Sequence, residues 1–117
     1  MPKHIETGRK GELLAKKYLE EKGYLILHLN WRHSYYEIDL IASRNGVLHF
    51  IEIKTRRNDN FGMPEESVTT GKMKRLKCAA DEFQFLYPDF EKVQYDVLSV
   101  RLGQNNQNEI LLIEDVE

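Results

Sequence analysis

Glu37-Ile38-Asp39-Leu40-Ile41-Ala42-Ser43-Arg44-Asn45-Gly46-Val47-Leu48-His49-Phe50-Ile51-Glu52-Ile53-Lys54 reads as two strands folded back on each other. Asn45-Gly46 is the pair that a tight primed turn needs, because both of its central positions take positive φ. In the first strand Ile38 and Leu40 share one face, and Glu37 and Asp39 the other. In the second, Ile51 and Ile53 share one face, and Glu52 and Lys54 the other, with residues two apart spaced by about 7 Å along the strand. Pairing through the turn brings Asp39 alongside Glu52. The expectation is sharp, since a slip of one residue would turn every side chain to the opposite face. Two adjacent carboxylates repel unless a cation lies between them. Hard oxygen ligands with room for water suit Mg2+ or Mn2+, which bind through one or two carboxylates together with substrate phosphate oxygens.

Outward from this hairpin, the pattern predicts an α/β domain. Gly8, Gly11, Ala15, Tyr18 and Leu19 recur at helical spacing, with Lys16, Lys17, Glu20 and Glu21 opposite, which predicts an amphipathic helix from about Gly8 to Lys22. Thr7 is its expected N-cap and Gly23 its left-handed stop. Tyr24 to Trp31 reads as a first strand, Tyr36 to Ser43 and Val47 to Thr55 as the hairpin. Arg56 to Pro64 reads as an exposed loop. A second helix follows, capped by Thr69 or Thr70, with Leu76, Ala79, Ala80 and Phe83 as its buried stripe and Pro88 beyond its end. Val93 to Val100 and Ile110 to Val116 read as two further strands joined by the polar loop Gly103 to Asn108. The expected order is helix, three strands, helix, two strands, in a single domain spanning residues 1–117.

The bulk properties narrow the function classes. A chain of 117 residues, 41% hydrophobic and 31% charged, can bury a core without disulfides or structural zinc. Its sequence has no signal peptide and no apolar run of membrane-spanning length, so the cytoplasm is the expected compartment and no membrane partner is expected. The single cysteine, Cys78, excludes an intrachain disulfide and a cysteine-rich zinc site, and its neighbours Ala79 and Ala80 point to plain packing. A net charge of -2 argues against a globally basic nucleic-acid binder. The charges are nevertheless segregated: between Lys54 and Lys77, the bases Lys54, Arg56, Arg57, Lys72, Lys74, Arg75 and Lys77 face only Asp59, Glu65 and Glu66. Such a stretch can attract phosphate while the acidic C-terminal part repels it.

Two further residues break the solvent pattern of their helices. Glu12 lies on the stripe of Gly8, Ala15 and Leu19, and an inward charge needs a reason. Gly8 and Gly11 lack bulk, so that end of the helix can approach the sheet closely enough for Glu12 to reach a metal directly or through water. Lys72 lines up with Leu76 and Ala79 and points towards the same cleft. A lone Glu-x-Lys is ordinarily a solvated ion pair, and Glu37 reads as a rim residue. Phe61 reads as a loop aromatic folded back on the core, and Trp31, Tyr35 and Tyr36 as sheet packing. Asp96 reads as a structural hydrogen-bonding residue, and His4, His28, His33 and His49 have no metal-ligand spacing.

Glu12 in a first helix, Asp39 in Glu37-Ile38-Asp39-Leu40-Ile41-Ala42, and Glu52-Ile53-Lys54 in the next strand together resemble the PD-(D/E)XK nucleases, especially the archaeal Holliday-junction resolvases. The sequence is more similar still to the small bacterial YraN-type family, an endonuclease-like group, through Gly8, Gly11-Glu12, Ala15, Tyr18-Leu19, Gly23-Tyr24, Asn30-Trp31-Arg32, Thr55-Arg56, Phe61-Gly62 and Tyr95-Asp96-Val97. Ile38 stands where the superfamily name has proline. The resemblance implies a restriction-endonuclease-like core, a central mixed sheet flanked by helices. It implies a metal held by Asp39, Glu52 and the Ile53 carbonyl, supported by Glu12, with Lys54 orienting or activating the attacking water. The expected activity is Mg2+- or Mn2+-dependent hydrolysis of DNA, branched DNA included, with Arg56, Arg57, Lys72 and Arg75 contacting phosphate. Resolvases work as dimers, so a homodimer is an expectation of the resemblance to which no apolar stripe of this sequence is assigned. The rival expectation is a catalytically inactive nucleic-acid-binding accessory module with the same fold.

Overall fold

The elements follow in the order α1 (Lys3–Glu21), β1 (Leu25–His33), β2 (Tyr36–Arg44), β3 (Val47–Arg57), α2 (Thr70–Leu86), β4 (Lys92–Leu102) and β5 (Glu109–Ile113). They are those of a computed structural model that describes residues 3–57 and 70–116. The strands form one sheet in chain order, β1-β2-β3-β4-β5. The β1–β2, β2–β3 and β4–β5 pairs are antiparallel and β3–β4 is parallel, so the sheet is mixed. A parallel neighbour needs a long crossover, which the connection carrying α2 supplies. Asn45 and Gly46 have φ of 53° and 78°, as the primed turn requires. The turn sets Arg44 opposite Val47 and Leu40 opposite Ile51.

The two helices cover opposite faces of the sheet. Leu76, Ala79, Ala80 and Phe83 of α2 pack with Trp31, Ile38, Ile41, Leu48, Phe50 and Tyr95. Ala15 and Leu19 of α1 pack with Tyr24, Leu40, Ala42, Ile51, Leu98, Val100 and Leu102. The alternation of Leu40 with Ile41 and of Phe50 with Ile51 supplies both layers from the same two strands. Among the described residues, no helix is long and apolar enough to cross a membrane.

Several boundaries differ from the sequence reading. Thr7 does not cap α1 but lies within it, since the helix begins at Lys3. His4, Ile5 and Glu6 contain no helix breaker, so hydrogen bonding runs through them. The other end is as expected: Gly23 takes φ 89°, and its N–H and that of Tyr24 donate to the carbonyls of Glu20 and Leu19 at 3.1 and 3.0 Å. Arg56 and Arg57, read as loop, are the last residues of β3 and pair with Arg101 and Leu102, because β4 continues the ladder past the apolar stretch. The remainder of that loop, Phe61 included, lies outside the described residues. β5 ends at Ile113 rather than Val116. The Val116 N–H instead donates to the Tyr95 carbonyl at 2.9 Å.

Asp96 holds that C-terminal segment. It is fully buried, and its Oδ1 accepts from the Asp115 N–H at 2.9 Å and from Gln94 Nε2 at 2.8 Å. Its Oδ2 lies 2.8 Å from His49 Nδ1. Asp96 is thus the structural hydrogen-bonding residue expected, whereas His49 is a buried partner rather than an incidental histidine. The Tyr24 ring meets His49 edge-on at 5.0 Å, and burial foremost pushes the Tyr24 hydroxyl pKa up, against the lowering effect of Arg44.

Candidate functional site

β2 and β3 deliver Asp39 and Glu52 to the same side of the sheet, the side covered by α2. Both line an open cleft of about 720 Å³, with Tyr35, Tyr36 and Glu37 on one wall and Gly71, Lys72, Lys74, Arg75, Leu76 and Cys78 of α2 on the other. That volume falls in the range of small-molecule sites, about 300–1,000 Å³. Asp39 Oδ2 accepts the Ile53 N–H at 2.9 Å, an interaction that favours the ionised form. It is outweighed. Burial, then the charge of Glu52, raise the Asp39 pKa to about 7, with smaller contributions from Glu37 and Glu12.

Cations sit against this acidic floor. Lys54 Nζ lies 3.6 Å from Glu52 Oε1, with both side chains largely buried. Lys72 reaches in from α2, and its pKa is lowered, first by the hydrogen bond it shares with Lys54, then by burial and by the Lys54 charge. Two amines held together and two carboxylates held together are each unfavourable alone. Their juxtaposition makes a site that gains from a cation at one end and an anion at the other.

Asp39, Glu52, Lys54 and Lys72 therefore converge as the sequence reading expects. Glu12 stands slightly apart: its Oε2 accepts from Asn30 Nδ2 at 3.0 Å, and it acts on Asp39 through charge rather than by lining the cleft. Its helix approaches the sheet as closely as the Gly8 and Gly11 argument requires, but through Gly11 alone. A Cβ there would overlap the Thr55 side chain, whereas among the described residues nothing lies within 4 Å of one at Gly8. Arg75 lines the cleft with Lys72, while Arg56 and Arg57 lie at the far end of β3 and do not line it. Glu37 is at the rim, as expected, 3.4 Å from Arg32.

Two residues depart from the packing that the sequence pattern predicts. Cys78 is exposed and lines the cleft instead of packing in the core, because it follows the buried Leu76 by two positions and so turns away from the helix's apolar stripe. Tyr35 is 99% exposed and does not pack on the sheet. It occupies the turn between His33 and Tyr36, which pair across the β1–β2 hairpin. The polar run Arg32-His33-Ser34 before it was the available signal for that turn.

Among the described residues, no three His, Cys, Asp or Glu side chains group closely enough to hold an ion by themselves. The donor set nevertheless fits Mg2+ or Mn2+, which keep several waters and take only one or two carboxylates from the protein. The mutual repulsion that raises Asp39 is what such an ion would relieve. Asp39 and Glu52 would hold it, with the Ile53 peptide adjacent.

The comparisons agree with one another. Residues 11–100 match the model of the family described as "Uncharacterised protein family UPF0102". A UPF0102 protein of Bacteroides thetaiotaomicron is 43% identical over 105 residues, covering 90% of this chain and 86% of its own. One of Rhodococcus opacus is 37% identical over 116 residues, covering 98% of both chains. One of Chloroherpeton thalassium is 38% identical over 124 residues, covering 98% of this chain and 95% of its own. With a family match across the hairpin, the cleft and both helices' packing residues, the chain belongs to the UPF0102 family.

Proposed function

We propose that this protein is a metal-dependent endonuclease with a restriction-endonuclease-like core, hydrolysing phosphodiester bonds in DNA. The observation that carries the reading is the convergence of Asp39 and Glu52 in a cleft that Lys72 also lines, with Lys54 3.6 Å from Glu52. A divalent cation, when bound, supplies Lewis-acid neutralisation of the scissile phosphate. Asp39 and Glu52 would hold the ion, and the Ile53 N–H fixes the Asp39 carboxylate in place. Lys54 stands where an ammonium can orient water and neutralise charge growing on the phosphoryl oxygens, and Lys72 adds a second cation on the same side. Water's oxygen bonds to phosphorus, one P–O ester bond breaks, and the leaving oxygen takes up a proton. Lys74 and Arg75, exposed on α2, extend the cationic wall along which the strand would run.

The test is a cleavage screen of the purified protein on duplex, single-stranded, flapped and four-way DNA and on single-stranded RNA, with Mg2+ or Mn2+, and with Ca2+ in parallel. Cleavage of DNA that Asp39→Asn, Glu52→Gln and Lys54→Ala each reduce by at least about a hundredfold is the expected result. Binding without cleavage on every substrate would establish the accessory-module reading instead. Cleavage of RNA alone would correct the substrate.

A further inference from the structure

Tyr35 has no role in the fold. A single exposed aromatic is by itself ordinary, but this one lines the same cleft as Asp39, Glu52, Lys74 and Arg75. The turn that carries it is anchored. Ser34, the other residue of the turn, takes φ 56°, and His33 Nε2 lies 3.2 Å from Glu82 Oε1 on α2. The His33 ring stacks on the largely buried Trp31 at 6.0 Å with the planes 18° apart. An aromatic ring is thus displayed to solvent on a turn anchored to the core and to α2.

We propose that Tyr35 is a base-stacking residue, and that the cleft takes an unpaired nucleotide of a DNA strand, with its phosphate towards Asp39 and Glu52 and its base against the Tyr35 ring. The inference rests on the endonuclease reading and adds the substrate class. In a paired duplex each base has both faces covered by its neighbours, so a tyrosine ring can stack only on a base that is single-stranded, terminal or displaced from the helix. At about 720 Å³ the cleft has room for a nucleotide. Stacking is indifferent to base identity, because every base has a π face. The site therefore reads the absence of pairing rather than a sequence.

Three oligonucleotides of one sequence test this in Ca2+: a single strand, a duplex with one unpaired 2-aminopurine, and a fully paired duplex. For the first two, Tyr35→Ala weakens binding by roughly tenfold and removes the quenching of 2-aminopurine fluorescence that stacking produces, while Tyr35→Phe keeps both. The paired duplex binds parent and variants alike. Because Tyr35 is almost fully exposed, the substitution does not endanger the fold. If Tyr35→Ala binds unpaired DNA as tightly as the parent, and charge reversal of Lys74 and Arg75 still weakens binding, the stacking role is wrong and the endonuclease reading survives. If the parent neither binds nor cleaves any of the three, nor the flapped and four-way DNA, even with Mg2+ or Mn2+, the endonuclease reading fails and takes this inference with it.

Discussion

Asp39 is a carboxyl group whose surroundings favour its neutral form at the pH where a metal site needs its charge. Its pKa of about 7 lies above the ordinary aspartate value of 3.8, so in the metal-free protein the folded state holds a proton that the unfolded chain has already released. Stability is fully present below about pH 4 and falls as pH rises to about 7, a contribution on the order of a few kcal/mol. Asp39→Asn should abolish this slope. In chelator at pH 8 the mutant is expected to be more stable by about 1–3 kcal/mol, several degrees in melting temperature, and at pH 4 no more stable than the parent. The amide oxygen can still accept the Ile53 N–H, which makes the substitution nearly isosteric. Mg2+ should raise the parent's melting temperature at pH 8 and the mutant's much less. Thermal melts at pH 4 and 8, with and without Mg2+, check all of this. A mutant melting well below the parent in chelator at pH 8 would show Asp39 to be a structural residue instead.

At the scale of the elements, α1 has two glycines with opposite demands. Gly11 abuts the Thr55 side chain, so closely that an added Cβ must displace it, while Gly8 faces open space. Gly11→Ala should cost about 1–3 kcal/mol through overpacking and tilt Glu12 away from the sheet. Gly8→Ala should add about 0.5–1 kcal/mol by its gain in helix propensity. Melting temperatures of the two single mutants decide the sign of each. The sequence reading treated these glycines alike, because spacing shows which face a residue takes and not how near the neighbouring strand lies. The same limit explains other differences. The β2–β3 hairpin was legible because Asn45 and Gly46 specify its turn locally, and with the turn came the register as far as Leu40 against Ile51, the pair next to Asp39 and Glu52. The His49–Asp96 pair joins residues on different strands across the parallel ladder, and no local pattern marks it. Tyr35 was misread because a tyrosine at the end of a strand-like run resembles a packed one until the turn is located.

The whole molecule divides its site between parts of very different sequence separation. Its lysines and its acids were both legible as one-sided placements on a helix and on strands, but their meeting depends on α2 crossing the sheet to lie over β2. The two carboxylates come from strands joined by a two-residue turn, whereas α2 and the parallel pairing of β3 with β4 depend on a long connection. Closing a short loop costs less chain entropy than closing a long one, so local pairings form early and distant ones late. The hairpin that carries Asp39 and Glu52 should accordingly be part of the folding nucleus, with the lysines of α2 arriving only after the rate-limiting step. Gly46, at φ 78°, is the residue to test. Alanine there costs about 1–2 kcal/mol of backbone strain, and in a nucleus nearly all of that appears in the folding rate, a slowing of about fivefold or more with unfolding little changed. Stopped-flow chevrons separate the two limbs. The acids would then meet with Lys54 of the same hairpin as their counter-charge but before Lys72 of α2 is in place, so the chain folds through a less favourable electrostatic arrangement than the native one. Mg2+ present during refolding should speed the reaction as well as stabilise its product.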